Sequence, residues 1–249
     1  MGYTIAIAGK GGTGKTTISA LIIRLLKERK SGSVLGIDAD PNNNLAESLG
    51  FKVKETIGNI LDEVAAHPDK IPAGMTKDRF IEYEVQTIVQ ECNGFDILTM
   101  GKPEGPGCYC YVNNVLRNVM ASLVRDYDYV VIDNEAGLEH LSRKTTGTAD
   151  VLLVISDASA AGLRAAKRIS DLVAELKIKT KNKFLIINRR DKEIAKDKIG
   201  GLGMEYVGRI PEDPQLLDIS VKNNSVFSLK KNTPSLVAIA NLLDKIVSL

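Results

Sequence analysis

The run Gly9-Lys10-Gly11-Gly12-Thr13-Gly14-Lys15-Thr16-Thr17 puts flexible backbone, two ammonium groups and three hydroxyls close together. It follows the apolar stretch Tyr3–Ala8 and satisfies G-x-x-x-x-G-K-[ST], the pattern of a phosphate-cradling loop between a strand and a helix. Backbone N–H groups of Gly11, Gly12, Thr13, Gly14, Lys15 and Thr16 are expected to point into the loop. With the helix N-terminus behind them they would stabilise a triphosphate. Lys15 is expected to reach the β- and γ-phosphates, and the Thr16 hydroxyl to ligate Mg²⁺. Lys10 is a second cation that the phosphate pattern does not require, which raises the question of whose phosphates it serves.

Such a metal needs a second acidic element. Tyr129-Val-Val-Ile-Asp133 ends an apolar strand in a carboxylate, as a Walker-B strand does, although an aspartate there also suits a helix N-cap. Gly137 lies four residues on, where a backbone N–H would sense the γ-phosphate. Asp38-Ala39-Asp40-Pro41-Asn42 follows another apolar run. Asp40, stiffened by the following proline, is the residue expected to orient or deprotonate the attacking water; the competing use is an Asx turn that stops the strand.

These residues need a scaffold, and short apolar runs alternating with helical patterns supply one: an α/β, doubly wound, mostly parallel sheet. Strands are expected at Tyr3–Ala8, Val34–Asp38, Phe95–Met100, Tyr129–Asp133, Val151–Ser156, Phe184–Asn188 and Tyr206–Arg209, β-branched enough to be buried on both faces. Helices are expected at Lys15–Lys30, Asn44–Leu49, Ile57–Ala66, Lys77–Glu91, Asn113–Arg125, Leu141–Ala149, Ala160–Leu176, Pro214–Asn223 and Ser235–Val247. The lysine alternation between Lys177 and Lys183 is expected to be a solvated connection. No repeat or long linker divides the 249 residues, so a single domain over 1–249 is expected. A net charge of +2 offers no chain-wide attraction to nucleic acid or anionic membrane, and no apolar run is long enough for a spanning helix. Three cysteines do not make a disulfide framework; they suit a reducing cytoplasm and possible metal binding.

Together these motifs resemble the deviant Walker-A ATPases, the family of nitrogenase iron protein, MinD and ParA. The family pattern K-G-G-x-G-K-[ST] is matched by residues 10–16. The resemblance covers essentially the whole chain and implies seven or eight strands and ATP-dependent dimerisation. It assigns Lys10 to the partner's bound phosphates across a homodimer interface, Asp40 to the first switch and Asp133 to the Mg²⁺ side. It also implies adenine contacts from Asn188 and Arg189, with Pro211, Glu212 and Asp213 lining the other side of the base; Thr17 is expected to bind the nucleotide with the rest of the phosphate loop.

A stiffened loop, Gly101–Gly107, leads into Cys108-Tyr109-Cys110. Two thiols are half of a tetrahedral soft-metal site, and a symmetric dimer would supply the other half. Within the family, this C-x-C with Asp133-Asn-Glu-Ala-Gly-Leu-Glu139-His140 is similar to the nickel-insertion ATPases that mature carbon monoxide dehydrogenase and acetyl-CoA synthase. That resemblance implies ATP, Mg²⁺ and Ni²⁺, with Zn²⁺ able to replace nickel, and an apo-enzyme of either kind as partner. Two alternatives stand beside it: a MinD/ParA-like positioning ATPase, and an iron–sulfur carrier or electron donor. Against the positioning reading, Ser235–Leu249 is amphipathic but has one basic residue, Lys245, so it is expected to pack on the core rather than on membrane. Glu139 and His140 are possible metal or target contacts, and Cys92, at the end of a helical pattern, is expected to be structural.

Overall fold

Aliphatic and β-branched runs without polar interruption have nowhere to go but a sheet covered on both faces, and that is where they lie. The computed structural model describes residues 2–101, 118–135 and 148–247. Within them β1 (Tyr3–Gly9), β2 (Val34–Asp38), β3 (Gln90–Cys92), β4 (Phe95–Thr99), β5 (Tyr129–Asp133), β6 (Thr148–Ser156), β7 (Lys179–Ile187) and β8 (Glu205–Arg209) form one sheet. Its order is β3-β4-β2-β5-β1-β6-β7-β8. Every pairing is parallel except β3 with β4. The fold class is therefore as expected, at the eight-strand end of the range.

Alternate residues of each strand feed two cores. Ile5 and Ile7 of β1 pack with α1 (Lys15–Glu28), α2 (Asn44–Leu49) and the last described helix, Pro234–Val247, whose Leu236, Ile239, Leu242 and Ile246 are buried. Ala6 and Ala8 face the opposite layer, made by α3 (Ile57–Ala66), α4 (Lys77–Thr87) and α5 (Ala160–Glu175). Pro234–Val247 thus packs on the core as its pattern predicts, and no helix among the described residues is long and apolar enough to cross a membrane.

Several expectations change. The helix expected to run to Glu91 stops at Thr87, and Gln90–Cys92 becomes an edge strand turning back into β4 with Cys92 opposite Phe95. The two-residue turn Asn93-Gly94, with Gly94 at φ 83°, is the local signal for that hairpin. Cys92 is therefore on a strand, half-buried, with burial the first cause of its raised thiol pKa. The lysine alternation is not a connection: β7 begins at Lys179, pairs with β6 along its whole length, and meets β8 only from Phe184. Its first residues keep one strand neighbour, so their side chains stay polar; Lys181 pairs with Asp150 at 2.7 Å. Residues 118–123 are helical, in keeping with the expected helix there, and most of the helix expected at Leu141–Ala149 lies outside the described residues, with Thr148 and Ala149 already in β6.

Candidate functional site

Parallel strands end at one edge, and the register brings the acidic and glycine residues to it together. Asp133 of β5 lies beside Ile7 of β1 and beside Asp38 of β2, while Gly9 lies beside Ile155 of β6. β1 sits between β5 and β6, where the strand order reverses, the usual place for a ligand crevice.

The phosphate-type loop joins β1 to α1. A Cβ on Gly9 would strike the Ile155 carbonyl, so only glycine lets the chain leave β1 here. Gly14 adopts φ 92° and heads α1 without a side-chain cap, and the first turn of that helix carries no acid. Its free N–H groups and positive dipole end therefore face the loop. Thr13 closes the loop by donating its hydroxyl to the Lys10 carbonyl at 2.8 Å. Lys15 is buried, with its ammonium 3.4 Å from the same carbonyl, whereas Lys10, Gly11 and Gly12 are exposed. This concave row of donors and cations fits an oxyanion group.

Asp133 is fully buried. Burial pushes its carboxyl up to about 6 against the nearby Thr16 and Ser19 hydroxyls and the charge of Lys15. Ser19 donates to Oδ1 at 3.0 Å, and Oδ2 has no partner. A buried carboxylate oxygen without a donor, beside the Thr16 hydroxyl, is the donor set of a hard cation such as Mg²⁺. Ser19 lies one helical turn after Lys15, on the same face of α1, but only its bond to Asp133 across 114 residues marks it out.

Asp38, two residues before the expected Asp40, is the more buried of the two. Burial first, then the charge of Asp133, raises its carboxyl to about 7, against the Leu45 and Asp40 N–H groups that bind it. It accepts from the Asp40 N–H at 3.2 Å and from the Leu45 N–H at 2.8 Å, so it ties down both ends of the 39–45 loop. Asp40 makes the Asx turn: Oδ1 accepts from the Asn42 N–H at 2.9 Å and from its side-chain amide at 2.8 Å. That use leaves Oδ2 for another role. Asn134, equally invisible in sequence, folds its amide onto the Ile7 carbonyl at 2.9 Å and keeps Oδ1 buried and unpaired.

The residues expected around a base do converge. A cavity of about 360 Å³ is lined by Gly14, Thr17, Asn188, Arg189, Pro211, Glu212 and Asp213, with Ile18, Ile210 and Ile239 among its apolar walls. The Asp213 carboxylate itself is engaged elsewhere. It caps the helix Pro214–Val221 and accepts from the Ser235 N–H and hydroxyl at 3.0 and 2.6 Å. Asp213→Ala should therefore lower stability by about 2 kcal/mol or more, read by urea denaturation.

Cys108, Cys110, Gly137, Glu139 and His140 lie outside the described residues. Among the described residues no group of three or more histidine, cysteine or acidic side chains is arranged to hold a metal.

The AAA_31 family, described as an AAA domain, matches residues 2–187. The chain is 41% identical to an uncharacterized ATP-binding protein of Methanocaldococcus jannaschii, covering 98% of each. It is 30% identical to the carbon monoxide dehydrogenase accessory protein CooC of Rhodospirillum rubrum, over 71% of each. The MinD cell division protein of Aquifex aeolicus superposes with a TM-score of 0.71 at 22% identity, covering 99% of this chain and 97% of that one. The chain belongs to the AAA_31 family and is an ATPase built on the MinD/ParA-type P-loop fold.

Proposed function

We propose that this ATPase is a homodimeric metallochaperone that carries nickel between paired Cys108-x-Cys110 motifs and inserts it into apo carbon monoxide dehydrogenase or acetyl-CoA synthase. The observation that carries the reading is the C-x-C pair itself, in a relative of the carbon monoxide dehydrogenase accessory protein. Gly101, seven residues before Cys108, follows β4, whose Thr99 is paired with Asp38 at the nucleotide edge of the sheet. The thiols are thus close in sequence to the elements that a γ-phosphate would hold.

In this reading residues 1–249 act as one cytoplasmic domain. The N–H groups of residues 11–16 and the Lys15 ammonium bind the ATP phosphates. Thr16 and Asp133 would hold Mg²⁺, Asp133 directly or through a water, and the ion would supply charge neutralisation to the bound triphosphate. Asp40 orients the attacking water through its uncommitted oxygen, and the Gly137 N–H senses the γ-phosphate. Asn188, Arg189 and the Pro211–Asp213 wall enclose the adenine. Lys10, exposed in one chain, reaches the phosphates of a second and so makes the site complete only in a dimer. Loss of the γ-phosphate then releases the two loops and relaxes the four-sulfur site. Because two ligands bias one two-state element, ATP should tighten nickel binding, nickel should tighten ATP binding by the same factor, and nickel should also tighten the dimer.

Equilibrium dialysis tests it. The parent should bind one nickel per two chains, and Cys108→Ser/Cys110→Ser should bind none; a double variant that binds nickel like the parent overturns the reading. The MinD-type fold supports a second reading, a positioning ATPase acting on membrane or DNA. ATP-dependent pelleting with liposomes or DNA, together with unchanged nickel binding by the double variant, would establish that one instead.

A further inference from the structure

Asn188 and Arg189 enter the proposed nucleotide site as adenine contacts, and the structure gives both side chains a different partner. The Asn188 amide donates to the Thr13 carbonyl at 2.8 Å, across 175 residues of chain. Its Oδ1 accepts from the Arg189 N–H at 3.0 Å, which fixes the orientation of the amide. The Arg189 guanidinium donates to the Gly12 carbonyl at 3.3 Å. Arg189 sits at φ 54°, a left-handed conformation that a non-glycine residue rarely takes, and that turn directs its side chain back toward the loop. A Cβ on Gly14 would come within 2.5 Å of the Asn188 amide nitrogen, so the glycine at this position also makes room for the contact.

A phosphate loop binds anions by turning its N–H groups inward, which sends carbonyls outward. Outward carbonyls need donors of their own, or the loop is free to flip its peptides and lose its N–H alignment. Gly12 and Thr13 are the middle of that loop, and the turn after β7 supplies a donor to each.

We propose that the Asn188–Arg189 turn is a clamp on the phosphate loop: it holds the Gly12 and Thr13 carbonyls so that the loop is set for a triphosphate before any base arrives. Asn188 and Arg189 are positioning residues in this role, whether or not they also touch adenine. The inference rests on the reading of this edge as the nucleotide site. It differs from a base-contact role in one respect, because a clamp acts on ligands that have no base.

The test is calorimetric titration of the 249-residue chain with ATP and with inorganic tripolyphosphate, both with Mg²⁺. The parent should bind both. Asn188→Ala should weaken both by about the same factor, roughly tenfold. Amide hydrogen exchange over residues 11–16 should quicken in that variant while exchange in β8 stays as in the parent, which a general loss of stability would not produce. Arg189→Lys keeps the charge, lies on the surface, and should weaken both ligands about threefold, so the proposal is testable even if Asn188→Ala folds poorly. A parent that binds ATP but not tripolyphosphate overturns the clamp. So do variants that lose ATP affinity alone. A parent that binds neither ligand removes the nucleotide-site reading, and the clamp with it.

Discussion

Lys15→Met should fold like the parent and hydrolyse ATP roughly a hundred- to a thousand-fold more slowly, read as turnover at saturating Mg²⁺-ATP. Methionine keeps the unbranched stem that runs through this buried position and removes only the ammonium. Among the described residues no carboxylate forms an ion pair with that ammonium; its hydrogen bond goes to the Lys10 carbonyl, and Asp133 acts on it only through charge. A buried cation with so little protein compensation is poised for charge that arrives with the ligand. In a site shielded from water, such a donor stabilises charge shifting toward the leaving phosphate, and removing it costs a few kcal/mol of barrier. Turnover within about threefold of the parent would show that the chemistry does not use this lysine.

Asp133→Asn is expected to do two opposite things: abolish most hydrolysis and make the ligand-free protein harder to unfold at neutral pH. The second effect follows from linkage. Burial raises the Asp133 carboxyl to about 6 in the folded chain, from 3.8 ordinarily. The folded state therefore holds this proton more tightly than the unfolded state does. Its contribution to stability is complete below about pH 4 and disappears as pH rises to about 6. Asparagine does not titrate, accepts from Ser19 in the same way, and can donate to Thr16. The stability difference between variant and parent should thus move in the variant's favour by on the order of 2 kcal/mol between pH 4 and pH 7. Urea titrations at the two pH values read it directly, and equal pH dependence in the two proteins would sink the idea. The expected loss of hydrolysis concerns the same carboxyl: its Oδ2 has no hydrogen-bond partner, and in the proposed function it would hold Mg²⁺. A buried carboxylate kept for a ligand would be held at some expense of stability.

Local pattern was enough wherever a segment's surroundings are uniform. β2 and β5 match their expected bounds, as do α2 and α3, because continuous apolar runs and a 3.6-residue period leave one option each. It failed where a segment's two sides differ. The first half of β7 looks like a connection because its alternating lysines face water on a stretch with one strand neighbour. Gln90–Cys92 continues a helical pattern in composition, and only its pairing with β4 makes it a strand.

For the site, the motif residues at 9–17 and Asp133 could be named from type and spacing, since a phosphate loop and its acidic partner need those residues in that order. Asp38, Ser19 and Asn134 could not, because what distinguishes them is burial and a partner far along the chain. Nothing in Asp38-Ala39-Asp40 says which carboxylate is sealed and which one stays partly exposed. The register of β2 against β5 decides it by setting Asp38 beside Asp133. The amino-acid sequence by itself determined the phosphate loop, its acidic strand, the fold class and the paired thiols at Cys108 and Cys110. The tertiary structure alone decided that a turn after β7 holds the loop's carbonyls, that Asp213 joins two helices, and that one oxygen of Asp133 is kept unpaired. Each of these depends on hydrogen bonds between residues distant in sequence, and spacing along a chain carries no record of them.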